Sequence, residues 1–441
     1  MGIYIPANYK LPPGLMDLTK SYLQRQTDSF GLFLSYDRIQ YHMAHLSAKI
    51  SYCTKILRLL GGFDTPGGMS RNDVLDALRN RFDVPDYMLL KDGKPSTDKT
   101  VIANLMAMPD LGQELREFLD IYKIMADCNG VLNNLKQFSK YPLTNLVDED
   151  NERLICIHPD WNLLSTSRFS SRDPNMQNLS RKLNDIYTAP KGYTLVHSDT
   201  GQVEPRITYS AYIADPLIKR LITLYNDAYY GLLHYILMTP AEETAARNGG
   251  EIVAHEITPE MKNNRQRLKV LGLAGNYGSS NLDAVDKEYG PLYEAKIVNH
   301  PLRKQWESRV KAEVRSGVQV FYAYFGTKVD PGAAQAADGK YSSGMGWAGH
   351  LIRCGINNPI QTTAAELMHI SINRAREVLL PNEHVAGWIH DAGLFYVPTD
   401  RVEERAPILK ELLAYEVEGW IPIYSDLVLG KVASGFAEPV F

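Results

Sequence analysis

Two apolar, β-rich runs set the first limit on how this chain can fold. Tyr193-Thr-Leu-Val-His-Ser-Asp199 alternates as a half-buried strand does. Val385–Val397 holds two short runs hinged around His390-Asp391-Ala392-Gly393, the pattern of a β-hairpin with an acid at its turn. The rest reads mostly as helix. From Phe30 to Leu60 apolar and polar residues mix at helical spacing without proline, and the stretch stops at Gly61-Gly62. Ser70 is placed to cap a second helical unit carrying Val74, Leu75 and Leu78, which continues through the loop Lys91–Lys99 to a helix ending near Leu135. Beyond Pro142 the texture turns to polar loop, and the first strand of the sheet is expected at Tyr193. Residues 215–325 are helical again, Val329–Trp347 is rich in Gly, Ala and Ser and reads as a mobile loop, and Asn358-Pro359 opens a helix that lasts until Pro381. The expected class is α+β.

Composition removes several functional classes. With 441 residues, 44% hydrophobic and 22% charged, the chain is neither disordered nor fibrous. At about 100 to 200 residues per domain it should form two to four lobes. Lys+Arg number 47 against 51 Asp+Glu, a net charge of −4, so any polyanion site must be local. No run of about 18 apolar residues occurs, and the opening Met1-Gly-Ile-Tyr4 has no basic stretch followed by an apolar core; the expectation is a cytoplasmic protein without a membrane partner. Cys53, Cys128, Cys156 and Cys354 show no CxxC spacing and read as buried thiols rather than a zinc ribbon or disulfide framework.

Asp199 closes one apolar run and Asp391 turns between two others. Either aspartate alone is an ordinary turn residue. Together they could cradle Mg²⁺, which takes one or two carboxylates plus substrate phosphates in preference to an all-protein cage. Met261–Gly278 holds four basic residues and no acid, with Arg265, Lys269, Leu273 and Tyr277 four apart. On a helix those positions form one slowly drifting stripe of two cations, an apolar residue and an aromatic ring. Such a stripe could lie along a nucleoside triphosphate, cations on the phosphates and apolar end on sugar and base. Taken by itself it reads more readily as a solvated basic face running into a glycine-softened helix end.

Asp199-Thr-Gly-Gln-Val-Glu-Pro-Arg206 resembles the first palm motif of family A DNA polymerases, the DNA polymerase I-like enzymes. Arg265, Lys269, Tyr277 and Gly278 match their second motif, and Ile389-His-Asp-Ala392 is similar to the third, usually His-Asp-Glu. Arg168–Asn178 is similar to the family's R-L-S-S-x-D-P-N-L-Q-N block, Arg353–Glu366 to its R-x-x-I-N-x-P-x-Q-G-T-A-A-D helix, and Asp92–Lys99 to the D-G-x-x-S-T-D-K turn of the thumb. The blocks occur in the family's order over residues 70–400.

The resemblance implies a right-hand polymerase fold, with an antiparallel β-sheet palm, helical fingers and a helical thumb. The corresponding segments are an N-terminal extension at 1–29, thumb at 30–145, palm at 146–215 and 345–441, and fingers at 216–344. It implies templated extension of a DNA primer by deoxynucleoside triphosphates. Asp199, Asp391 and the Thr200 carbonyl would hold two Mg²⁺, with Mn²⁺ a possible substitute. Arg265 and Lys269 would clamp the triphosphate, and Gln202, Glu204, Leu273 and Tyr277 would complete the nucleotide site. Glu204 would leave no room for a 2′-hydroxyl, and Tyr277 would stack near the templating base. Arg168, Gln177, Asn178, Arg353, Asn357, Gln361 and His390 match positions that touch the primer-template minor groove or hold the primer end; minor-groove acceptors occur on every base pair, so such contacts test pair shape without reading sequence. With a thumb starting near residue 30 no exonuclease domain is expected before it, hence no proofreading. A monomer in a bacterial or phage-infected cell fits this picture.

The chain departs from the family at several points. Leu273 replaces the Phe or Tyr that stacks on the nucleotide, Ala392 replaces Glu, Tyr229 stands where a phosphate-contacting His is common, Thr362 replaces Gly, and Pro205 removes a backbone donor. Two other readings are a single-subunit RNA polymerase-like enzyme, favoured by Ala392 but opposed by Glu204, and a catalytically weak protein that holds primer-template without extending it.

Overall fold

The computed structural model describes residues 2–63, 69–91, 93–108, 110–276, 282–330 and 344–430. Asp92 of the thumb-like turn, Tyr277 and Gly278 of the stripe, and 331–343 of the Gly/Ala/Ser loop lie outside the described residues. The chain divides into two compact units.

One unit comprises residues 33–157 and 178–191. The helix expected from Phe30 begins instead at Tyr36 and runs to Gly61, because Leu32–Ser35 is a fully buried strand. A short apolar run cannot be told from buried helix by periodicity. The Ser35 hydroxyl accepts from the Arg38 N–H to cap the helix, and Gly62 ends it at φ 70°. Ser70 caps Arg71–Asp76 as expected, in a reciprocal capping box with Asp73. Helix Gln113–Lys136 packs along Tyr36–Gly61, over a core containing Leu57, Val74, Leu78, Ile102, Phe118 and Leu119. Strands Leu143–Val147 and Arg153–Ile157 complete a small sheet, so β-structure begins well before Tyr193.

The other unit contains residues 2–32, 158–177 and 192–430. Its main sheet is antiparallel, ordered His384–Ile389, Ala392–Pro398, Tyr193–Thr200, Ser425–Leu429. Trp161, Val196, Met368, Ile372, Trp388, Phe395 and Leu409 form the cluster packed on this sheet. The helix expected to open at Asn358-Pro359 starts at Gly344 and ends at Val378, with Pro359 inside it. An internal proline costs about 3 kcal/mol. Burial of Leu351, Ile360, Ala364, Ala365 and Leu367 on both sides of it offsets that cost.

A second core holds the helical layer of 216–315, with Leu217, Ile218, Leu221, Leu232, Leu268, Tyr293 and Trp306. Helices Pro216–Tyr225 and Ala228–Leu237 meet so closely that a Cβ on Gly231 would lie 2.7 Å from the Ile222 backbone. Cys53 and Cys128 are buried, Cys156 and Cys354 half-buried, and all four are free thiols. Burial pushes the Cys156 thiol up to about 11. Among the described residues no helix is long and apolar enough to cross a membrane.

Candidate active site

Main-chain register brings the two aspartates together. Ala392 and Asp426 pair with Asp199 from the two neighbouring strands, and directly opposed residues share a face of the sheet. Ile389 pairs with Ala392, leaving His390 and Asp391 as a two-residue loop. The Thr200 N–H donates to the Asp391 carbonyl at 3.1 Å, so the end of one strand is tied to the turn carrying the other acid. His390 has φ 52°, the positive value that primed hairpin turns need at their first position. Beneath the turn, Tyr415 is 2% exposed. Burial, with the Asp391 charge adding to it, holds its phenol well above the usual range and therefore neutral.

Asp426 was not singled out from the sequence. Its strand follows Pro422 with no motif attached, and only cross-strand register shows that it shares a row with Asp199. Among the described residues no three His, Cys, Asp or Glu side chains converge to hold a metal ion. Asp199 and Asp391 are hard carboxylate oxygens, a donor chemistry that fits Mg²⁺, which takes most of its ligands from phosphates and water.

Glu204 lies in the first turn of the short helix Val203–Ile207, directly after the Asp199 strand. It is ion-paired with Arg168, whose guanidinium also comes within 4.0 Å of the Asp391 carboxylate. Arg206 is 3% exposed and donates to the carbonyls of Pro422 at 2.6 Å and Asn226 at 2.7 Å. It braces three segments from below, and burial lowers its pKa from the ordinary guanidinium value.

The stripe lies on helix Pro259–Asn276. Met261, Asn264, Leu268 and Leu271 are buried, whereas Arg265 and Lys269 are half-buried and Leu273 is 44% exposed. Arg265 does not stand ready for a phosphate. Its Nε and Nη2 donate to Asp227 Oδ2 at 2.9 and 2.8 Å, and its guanidinium lies 5.5 Å from the ring centroids of both Tyr229 and Tyr230. Gln202, at φ 55°, also donates to Asp227 Oδ2, at 2.5 Å, and accepts from the Ala228 N–H at 2.6 Å. Asp227 Oδ1 meanwhile caps helix Ala228–Leu237 through the N–H groups of Tyr229 and Tyr230, each at 2.9 Å. Asp227 thus joins the palm-like strand end to the stripe. The only signal for it in the sequence was an aspartate before an apolar helical run.

Arg353, Asn357 and Gln361 lie four apart on helix Gly344–Val378, Arg353 exposed and the other two half-buried. His390 is exposed at the hairpin turn, and Asn178 is exposed in the unit containing residues 178–191. The Gln177 amide is spent on protein. Its Nε2 donates to the Trp388 carbonyl at 2.7 Å, and its Oε1 accepts from the His390 N–H at 2.8 Å.

No family model matches the chain. It is 26% identical over 315 residues to the thermostable DNA polymerase I of Thermus filiformis, covering 68% of this chain and 35% of that protein. With DNA polymerase I of Caldicellulosiruptor bescii it shares 24% identity over 351 residues, covering 76% and 36% respectively. The chain spans about a third of the length of these relatives. Among solved structures it superposes on the POL domain of Pol1 from M. smegmatis, in complex with DNA primer-template and dNTP, with a TM-score of 0.72, 18% identity and coverage of 94% of this chain and 70% of that one. The fold is the right-hand fold of a polymerase domain. In sequence the chain is similar to DNA polymerase I proteins over 58–76% of its length.

Proposed function

We propose that this chain is a template-directed DNA polymerase that extends a primer 3′ end with deoxynucleoside triphosphates. The observation that carries the proposal is that the Asp391 turn is tied to the end of the Asp199 strand through the Thr200 N–H, with Arg265 linked to that end through Asp227 and Gln202. Asp199, Asp391 and the Thr200 carbonyl would hold two divalent ions, Mg²⁺ first and Mn²⁺ as substitute. When bound, such ions activate the attacking oxygen and neutralise charge on the leaving group.

The chain's own residues supply position and charge. Arg265 and Lys269 would exchange their present partners for triphosphate oxygens, and Leu273 would offer apolar contact to the nucleotide without the stacking an aromatic ring provides. Glu204, held by Arg168, would stand against the sugar and disfavour a 2′-hydroxyl. Arg353, Asn357, Gln361, His390 and Asn178 would follow primer-template, and Tyr277 would sit near the templating base. Residues 30–145 would form the thumb, 146–215 with 345–441 the palm, and 216–344 the fingers. We further propose that these 441 residues act as a monomer and add without excising, in the cytoplasm of a bacterial or phage-infected cell.

The direct test is extension of a labelled DNA primer on a DNA template with Mg²⁺, comparing deoxynucleotides with ribonucleotides. Templated deoxynucleotide addition that disappears in Asp199→Ala is expected. Preferential ribonucleotide addition would overturn the role of Glu204, and tight duplex binding without addition under Mg²⁺ or Mn²⁺ would favour a binding protein. Excision of a mismatched 3′ end by the pure chain would overturn addition without proofreading.

A further inference from the structure

We propose that Gln177 is a positioning residue that holds the Asp391 turn in register for metal binding, a role that rests on the polymerase reading above. Strand His384–Ile389 is at the edge of the main sheet, so one side of its backbone has no neighbouring strand in that sheet. An edge strand leaves donors and acceptors to be satisfied by other means. The Gln177 amide supplies both kinds, donating to the Trp388 carbonyl at 2.7 Å and accepting from the His390 N–H at 2.8 Å. These two groups are separated by two residues along the strand, the spacing a neighbouring peptide would use. One side chain thus stands in for one residue of a missing strand.

The residue so held is one of the few described non-glycine residues with a positive φ. His390 has φ 52°, a region that a residue with a Cβ enters only at a cost. Asp391 follows it directly, and its carbonyl accepts from the Thr200 N–H at 3.1 Å. The turn is therefore gripped from both sides, by Gln177 at 388 and 390 and by the Asp199 strand at 391.

Gln177 is itself mounted on rigid structure. Its N–H donates to Asn175 Oδ1 at 3.1 Å, and the preceding Met176 N–H donates to Ser171 Oγ at 2.8 Å. Ser171 lies on strand Phe169–Arg172, which pairs with Asp160–Leu163. Trp161 of that hairpin and Trp388 of the clamped strand share one buried cluster. Removing the amide would loosen the turn that carries Asp391. Supports of this kind around metal-binding carboxylates typically carry about 10- to 100-fold in metal affinity or activity.

The test uses the whole chain with Gln177→Met, similar in length but able to make neither bond, and Gln177→Glu, which keeps the acceptor and loses the donor. Mn²⁺ binding is read by electron paramagnetic resonance without DNA or nucleotide, and primer-template binding by fluorescence anisotropy. The Mg²⁺ concentration for half-maximal extension is the third readout. Gln177→Met should weaken Mn²⁺ binding, read without DNA, by about tenfold and raise the Mg²⁺ requirement in parallel; Gln177→Glu should fall between it and wild type. If Gln177→Met does not fold, as judged by its melting curve, Gln177→Glu carries the same comparison. Unchanged Mn²⁺ binding, with or without a loss of primer-template affinity, would overturn the inference and leave the polymerase reading standing. A wild type that binds Mn²⁺ but never extends a primer would overturn the polymerase reading, while weakened Mn²⁺ binding in the variants would still support the clamp.

Discussion

The sheet end and the helical stripe solve opposite problems with different kinds of bonds. At the sheet end the acids are placed by main-chain register, and the turn that carries Asp391 is tied by the Thr200 N–H and the Gln177 amide. On helix Pro259–Asn276 the cation Arg265 is placed by a side-chain partner, Asp227, that a triphosphate could replace. Backbone ladders give positions that do not depend on ligand. Side-chain ion pairs give positions that can be traded, and the difference separates the fixed half of this site from its exchangeable half.

The largest effect should come from breaking the fixed half. On the proposed reading Asp199→Ala removes a group that would hold a metal ion worth several kcal/mol of transition-state stabilisation, so single-turnover primer extension should fall by on the order of a thousandfold or more. Survival of extension within tenfold of wild type would mean that the sheet end is not where the reaction occurs.

A second way to break that side is through acid. His369 is buried on the helix packed against the sheet, its Nδ1 2.6 Å from the Thr19 hydroxyl and its Nε2 3.0 Å from the Ser167 carbonyl. Burial lowers its pKa to about 4. The unfolded chain takes up the proton first, at its higher pKa of about 6.5. Stability is therefore full above that value and is lost progressively as pH falls towards about 4. Urea melts at pH 7 and pH 5 should differ by about 2 kcal/mol from this group alone, and His369→Gln should flatten that part of the slope.

Glu204→Ala should open the sugar site, with ribonucleotide incorporation relative to deoxynucleotide rising by about tenfold; an unchanged ratio would remove Glu204 from sugar selection. The smallest effect is expected in the exchangeable half. Asp227→Asn keeps an oxygen to cap helix Ala228–Leu237 but removes the charge competing for Arg265, so the nucleotide concentration for half-maximal extension should fall by a few fold, against charge-assisted bonds worth about 1.5–3 kcal/mol. Arg265→Ala should raise it. Both variants moving in the same direction would show that Asp227 orients Arg265 instead of competing for it.

Local patterns made much of this legible. The hairpin at 385–397, the strand from Tyr193, the Ser70 cap and the helix end near Leu135 all follow from short-range rules, and each is present. Where local rules were ambiguous they misled. Leu32–Ser35 is too short an apolar run to declare itself a strand, and Pro359, a usual helix opener, sits inside a helix because buried contacts on both sides outweigh its missing bond. Gln177 matches a nucleic-acid contact by position in a motif, and its amide also bridges an open strand edge, which no reading of residues 168–178 could reveal.

The amino-acid sequence determined which chemical groups this protein has available, the acids at strand ends, the cations four apart and the apolar patterns around them, because each depends on neighbours within a few positions. Tertiary structure alone decided that Asp426 shares a row with Asp199, that Asp227 holds Arg265 and Gln202 together, and that Gln177 grips the Asp391 turn. Those relations join segments far apart in the chain, and they arise from sheet register and helix packing, which bring together residues that carry no mark of one another in sequence.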